Sequence, residues 1–180
     1  MHIVTLSGSI RTASLNRALL VEFARILPAP HTASMLEIAD LPHYSEDHDG
    51  SAERPAPASV TAFRTAIQAA DAIVIATPEY NHGYPGALKN ALDWASRPYG
   101  RASLNGKHAA VIGGGGGTGG IRAQIQLRQV LNGCGCHVLP RPELAVRFHE
   151  AFKDGALVDP KVTELLGRIA DLLLAQVSRA

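Results

Sequence analysis

The stretch Ala72-Ile73-Val74-Ile75-Ala76-Thr77-Pro78-Glu79-Tyr80-Asn81-His82-Gly83-Tyr84-Pro85-Gly86-Ala87-Leu88-Lys89-Asn90 carries the architecture of this chain. Its first five residues are an unbroken apolar run, the pattern of a strand buried on both faces of a parallel sheet. Leu88-Lys89-Asn90-Ala91-Leu92-Asp93-Trp94 reads as a helix. The residues between them form a loop at the carboxyl end of a strand, where open α/β sheets bind ligands. Two prolines and two glycines, Pro78, Pro85, Gly83 and Gly86, restrict its path. Tyr80-Asn81 offers a flat face and hydrogen-bonding edges, as a planar heterocycle requires. Loop packing is the plainer reading of Tyr80. Trp94 reads as core or as a subunit contact.

The amino terminus repeats the pattern. Ile3-Val4-Thr5-Leu6 is a first strand that runs into Ser7-Gly8-Ser9-Ile10-Arg11-Thr12-Ala13-Ser14-Leu15-Asn16-Arg17. Leu15, Leu19, Phe23, Ile26 and Leu27 then recur at helical spacing. A loop at a helix N-terminus presents unpaired N–H groups and the positive end of the helix dipole. Ser9, Ser14 and Asn16 add side-chain donors and Arg11 a fixed charge, so the loop suits a phosphate. It lacks the lysine and glycine spacing of a nucleotide triphosphatase loop. Ser14 also reads as a helix cap, and the two readings are compatible.

Working outward, further strands are expected near Ala33–Ile38, His108–Gly113 and His137–Leu139. Further helices are expected near Val60–Ala70, Gly86–Ser96, Ile121–Asn132 and Lys161–Val177. Strands alternating with helices predict a doubly wound parallel sheet. With right-handed crossovers, five strands most simply take the order 2-1-3-4-5. The loops after strands 1 and 3 then face each other across one crevice. Leu41–Ala58 reads as a surface loop, and Arg141–Asp159 as a segment with a short hairpin around Asp154-Gly155. No linker or repeat divides residues 1–180, which are expected to form a single domain.

At 46% hydrophobic and 18% charged the chain can build a full core. A net charge of +1 suggests neither nucleic acid nor an anionic membrane as a partner. It also argues against an electron carrier that docks on proteins through an acidic face. Met1-His2-Ile3-Val4 enters a strand at once, with no secretory pattern, and no apolar run is long enough to span a bilayer. Two cysteines are too few for a disulfide scaffold. A cytoplasmic protein is expected. Cys134-Gly135-Cys136-His137 lacks thioredoxin spacing and a second ligand pair, so no metal is expected.

Gly113–Gly120 contains formal matches to G-x-G-x-x-G. A dinucleotide fingerprint wants an acidic residue roughly 20 positions on, and that neighbourhood is Asn132-Gly133-Cys134-Gly135-Cys136. The run also follows the fourth strand rather than the first. Close backbone approach to a ring edge fits it better; a flexible turn is the plainer reading.

Taken together these motifs resemble the NADPH-dependent FMN reductase family, which includes soluble quinone and chromate reductases. The matching residues are Gly8-Ser9-Ile10-Arg11-Thr12-Ala13-Ser14-Leu15-Asn16, then Pro78 through Trp94, then Gly119-Gly120-Ile121-Arg122-Ala123-Gln124 with Leu127-Arg128-Gln129. They fall in the family's order and span most of the chain. The resemblance implies a flavodoxin-like fold, bound FMN, NADPH or NADH as co-substrate, and two-electron reduction of a small-molecule acceptor such as a quinone. It implies that Ser9, Arg11, Ser14, Leu15 and Asn16 hold the FMN phosphate. Pro78, Glu79, Tyr80 and Asn81 would line the ring, and Gly115, Gly116, Gly117 and Thr118 would close its other edge. No side chain is assigned as a catalytic proton donor, because the flavin carries the hydride. One open ring face shared by donor and acceptor implies ping-pong kinetics. A homodimer or homotetramer is implied, with Arg122 and Glu143 in its polar network, although Ile125 replaces a tyrosine of the quinone and chromate reductase branch. Two rival readings are a reductase that releases reduced FMN to a monooxygenase and a flavin-binding sensor or carrier.

Overall fold

The computed structural model describes residues 1–179. Strand β1 (His2–Ser7) leads into helix α1 (Leu15–Ile26), followed by β2 (Thr32–Leu36), α2 (Ala58–Ala69), β3 (Ala72–Thr77) and α3 (Gly86–Ala95). Then come β4 (His108–Gly115), α4 (Ile121–Gly133), β5 (His137–Val138), β6 (Leu144–Arg147), α5 (Phe148–Ala151), β7 (Phe152–Lys153), β8 (Ala156–Leu157) and α6 (Pro160–Val177). The principal sheet is parallel in the expected order, β2-β1-β3-β4-β5. β1 and β3 are buried along nearly their whole length. One core packs α1 and α6 against the sheet through Leu19, Phe23, Leu166 and Leu173. The other packs α2, α3 and α4 through Phe63, Ile67, Leu88 and Leu127. Trp94 belongs to this interior at 1% exposure. Its Nε1–H and the Asn90 amide both donate to the Pro42 carbonyl, so the helix of the opening motif pins the Leu41–Ala58 loop.

The five-lane expectation needs one correction. The fifth lane is two strands, because β4 pairs with β5 at its start and with β6 at its end. Register runs from His108↔His137 and Ala109↔Val138 to Ile112↔Leu144 and Gly115↔Arg147. Over the break, Arg128 of α4 replaces the missing strand. Its guanidinium donates to the Leu139 and Val111 carbonyls at 2.5 and 3.2 Å. β4 also continues two residues beyond the expected Gly113. Gly114 and Gly115 are ladder residues opposite Val146 and Arg147. The hairpin around Asp154-Gly155 is present, with β7 and β8 antiparallel. Cys136 is buried, its thiol donates to the Leu104 carbonyl, and burial pushes that thiol up to about 12. It is a packing group.

Candidate cofactor cleft

The carboxyl ends of β1, β3 and β4 open into a cleft of about 540 Å3. Its walls are Ser9, Arg11 and Ser14 of the first loop with Leu15 and Asn16 at the start of α1, Pro78, Glu79 and Tyr80 of the second loop, and Gly114 and Gly115 at the end of β4 with Gly116 just beyond it. Phe148 and His149 complete it. The strand order thus brings together three segments that lie far apart in the sequence.

The first loop is held open by its own hydrogen bonds. The Ser7 hydroxyl donates to the Ser9 carbonyl at 3.0 Å, and the Gly8 N–H donates to the Ala76 carbonyl at 2.8 Å. The Ser9 and Ser14 hydroxyls accept from the Arg11 and Arg17 backbone N–H groups, so both keep a proton to donate. Ser14 is the N-cap of α1 and also faces the cleft, so both readings of this residue hold. Arg11 spends one N–H on the Ala13 carbonyl and has others to offer. Asn16 differs from the expectation. Its side chain is 2% exposed and makes a reciprocal pair with the Gly114 backbone at 3.0 and 3.3 Å. It ties the start of α1 to the end of β4, and what it offers a ligand is its backbone N–H.

The second loop folds back on itself. Tyr80 and Gly83 exchange backbone hydrogen bonds, and Asn81 and His82 between them have φ of 50° and 67°. This is a two-residue hairpin with both central residues left-handed, a conformation that Asn tolerates better than most residues. Tyr80 lines the cleft at 52% exposure, while Asn81 stands exposed at the hairpin tip, outside the cleft wall. Glu79 lines the cleft, and its carboxylate is engaged as a brace. Its carboxylate accepts from the Thr118 hydroxyl, the Arg122 backbone N–H and the Arg122 guanidinium at 3.1–3.3 Å. It caps α4, whose own N-cap Gly120 has no side chain to do so. Burial works to raise this carboxyl, but the Arg122 N–H, the guanidinium and the Thr118 hydroxyl outweigh it and hold it below the usual range. Arg122, expected in a subunit network, is thereby engaged within its own chain.

The glycine run separates into two groups. A Cβ on Gly113 would lie 2.2 Å from the Thr77 carbonyl oxygen, and one on Gly114 2.3 Å from a Phe148 ring carbon. Packing alone demands glycine there. A Cβ on Gly115 would find nothing nearer than 3.8 Å, and one on Gly116 nothing within 4 Å. No protein atom requires glycine at these two cleft positions, so they fit the close approach of a ligand. A helix N-terminus with spare hydroxyl donors, a flat aromatic wall and a side-chain-free edge together suit FMN. Gly117 and Thr118 lie beyond the cleft wall, with Thr118 spent on Glu79. Phe148 and His149 were invisible to motif reading, because only the interruption of the fifth lane carries them to the cleft.

Comparison with known proteins gives the chain's family. The family description "NADPH-dependent FMN reductase" matches residues 1–151. An NAD(P)H-dependent FMN reductase of Pseudomonas aeruginosa is 39% identical over 182 residues, covering 99% of this chain and 96% of the relative. A 2-hydroxy-1,4-benzoquinone reductase of a Burkholderia species is 36% identical, covering 98% and 96%. Among solved structures, the flavoenzyme NAD(P)H:(acceptor) oxidoreductase of Paracoccus denitrificans superposes with a TM-score of 0.88 at 36% identity, covering 99% and 97%. This chain belongs to the NADPH-dependent FMN reductase family.

Proposed function

We propose that this protein uses NAD(P)H to reduce a quinone or a similar small acceptor by two electrons, through FMN held in the cleft. The observation that carries the reading is the pairing of a donor-rich helix N-terminus with the side-chain-free edge at Gly115 and Gly116, across one crevice. When bound there, FMN supplies hydride acceptance from the nicotinamide and hydride donation to the acceptor. The chain's own residues bind and orient. Ser9, Arg11, Ser14 and the backbone N–H groups of Leu15 and Asn16 hold the phosphate. Pro78, Glu79 and Tyr80 form one flank of the ring, and Gly115 and Gly116 leave room for its edge. Asn81, Gly117 and Thr118 contribute from outside the cleft wall, through the shape of their loops.

In this reading the chain works as a homodimer or homotetramer. Exposed Tyr80 at the cleft and exposed Ile125 on α4 supply apolar area for a second copy, and sedimentation tests that. A cytoplasmic location fits its reductant and its free cysteines; no helix among the described residues is long and apolar enough to cross a membrane.

The flavin itself provides the first test. The purified protein should release FMN on denaturation, or rebind it stoichiometrically, and should then oxidise NAD(P)H when a quinone is supplied. Stoichiometric FAD, or no flavin affinity, would contradict the reading. Turnover only with free FMN as the acceptor would favour a supplier of reduced flavin instead.

A further inference from the structure

Beyond the ridge formed by Ser9 and Arg11 lies a second hollow, of about 350 Å3, that shares those two residues with the cofactor cleft. Its other wall is Arg17 of α1 together with Glu37 and Ala39, which follow β2. Because β2 neighbours β1, the hollow and the cleft abut across the first loop. Arg17 and Glu37 meet fork to fork, Nη1 to Oε2 at 3.0 Å and Nη2 to Oε1 at 2.5 Å. Their side chains are 41% and 59% exposed, so both heads can be reached from the hollow. An exposed pair of this kind contributes little to stability. Either head can therefore exchange its partner for a ligand group at small cost.

We propose that this hollow receives the adenosine ribose of the pyridine nucleotide, with Glu37 accepting from the ribose hydroxyls and Arg17 donating to a 2′-phosphate where one is present. The proposal rests on the reading that NAD(P)H reduces FMN in the adjoining cleft. A nucleotide whose nicotinamide lies over that cleft must lay its other half along a neighbouring wall. The wall through Ser9 and Arg11 is continuous with a cavity of suitable chemistry, and Arg11 stands with its positive charge where a pyrophosphate would cross. A carboxylate can take both hydroxyls of a ribose diol, whereas the planar guanidinium fork matches a phosphate. Since the two heads are already paired, neither nucleotide gains a free charge. The expected result is an enzyme that uses NADH and NADPH with similar efficiency.

Two soluble probes and two variants test the assignment. The probes are 5′-AMP and adenosine 2′,5′-bisphosphate, titrated calorimetrically into the FMN-loaded protein. The variants are Glu37→Gln and Arg17→Ala, with FMN content and thermal midpoint recorded for each. Glu37→Gln frees Arg17 and should raise the NADPH-to-NADH ratio of kcat/KM about tenfold, while weakening 5′-AMP. Arg17→Ala should lower that ratio about tenfold and weaken the bisphosphate selectively, as expected for one charge-assisted contact. Ratios unchanged in both variants, with FMN bound and reduced normally, would overturn the proposal and leave the function above intact. Failure of both nucleotides to reduce bound FMN in the unaltered protein would overturn the proposal and the function together. If a variant does not fold, NMR mapping of the bisphosphate on the unaltered protein decides. Shifts at Arg17 and Glu37 support the site, and shifts confined elsewhere reject it.

Discussion

Arg11 lines the cleft with only one of its guanidinium N–H groups committed to the chain. A charge-assisted contact to a phosphate is worth about 1.5–3 kcal/mol. Arg11→Ala should therefore weaken FMN roughly tenfold to hundredfold and leave riboflavin, which lacks the phosphate, nearly unaffected. Fluorescence titration of both flavins measures this, and equal weakening would remove Arg11 from the phosphate site. The glycines make a second contrast. Gly113→Ala drives a methyl into the Thr77 carbonyl and should destabilise the fold, whereas Gly116→Ala should fold normally and lose FMN affinity. A Gly116→Ala protein that binds FMN as well as the parent would show that the ring edge lies elsewhere. Ser9, Arg11 and Ser14 were legible in the sequence because capping and loop chemistry are local. Asn16 was legible as a loop residue but not as the tie to Gly114, 98 positions away. That contact exists only once β4 has been placed beside β3, next but one to β1.

At the scale of elements, the hairpin after β3 and the segment leading into α4, which would flank the ring in the proposed reading, depend on one carboxylate. Glu79 joins the hairpin after β3 to the start of α4 and satisfies donors that the helix cannot satisfy itself. Glu79→Gln should lower stability by about 1 kcal/mol at neutral pH, the usual value of such a cap. The sign of the pH dependence follows from the lowered carboxyl. The stabilisation is fully present above the unfolded value, roughly 4.3, and is lost as pH falls through the lower folded value. Thermal midpoints of parent and variant should accordingly converge in acid, and a constant gap at every pH would show that the charge is not the source. The five-lane order was legible because apolar runs alternate with helical stripes. β6 was not, although Leu144 and Val146 are buried and Ala145 and Arg147 exposed in strict alternation. Four residues beside Pro140 and Pro142 carry too weak a period to separate from a loop. What makes them a strand is β4, which offers its unpaired edge, and Arg128, which closes the gap.

At the scale of the whole molecule, the sheet order makes one crevice out of distant loops and leaves the cleft open on one side. In the proposed reading, protein would surround the phosphate, one flank and one edge of FMN, and donor and acceptor would then share the remaining face in turn. Rapid mixing of the FMN-loaded protein with NADPH alone tests this central claim most directly. The flavin should bleach fully before any quinone is added, and steady-state double-reciprocal plots at several quinone concentrations should be parallel. A flavin that is reduced only when quinone is present, together with intersecting plots, would contradict the shared face and require two separate sites.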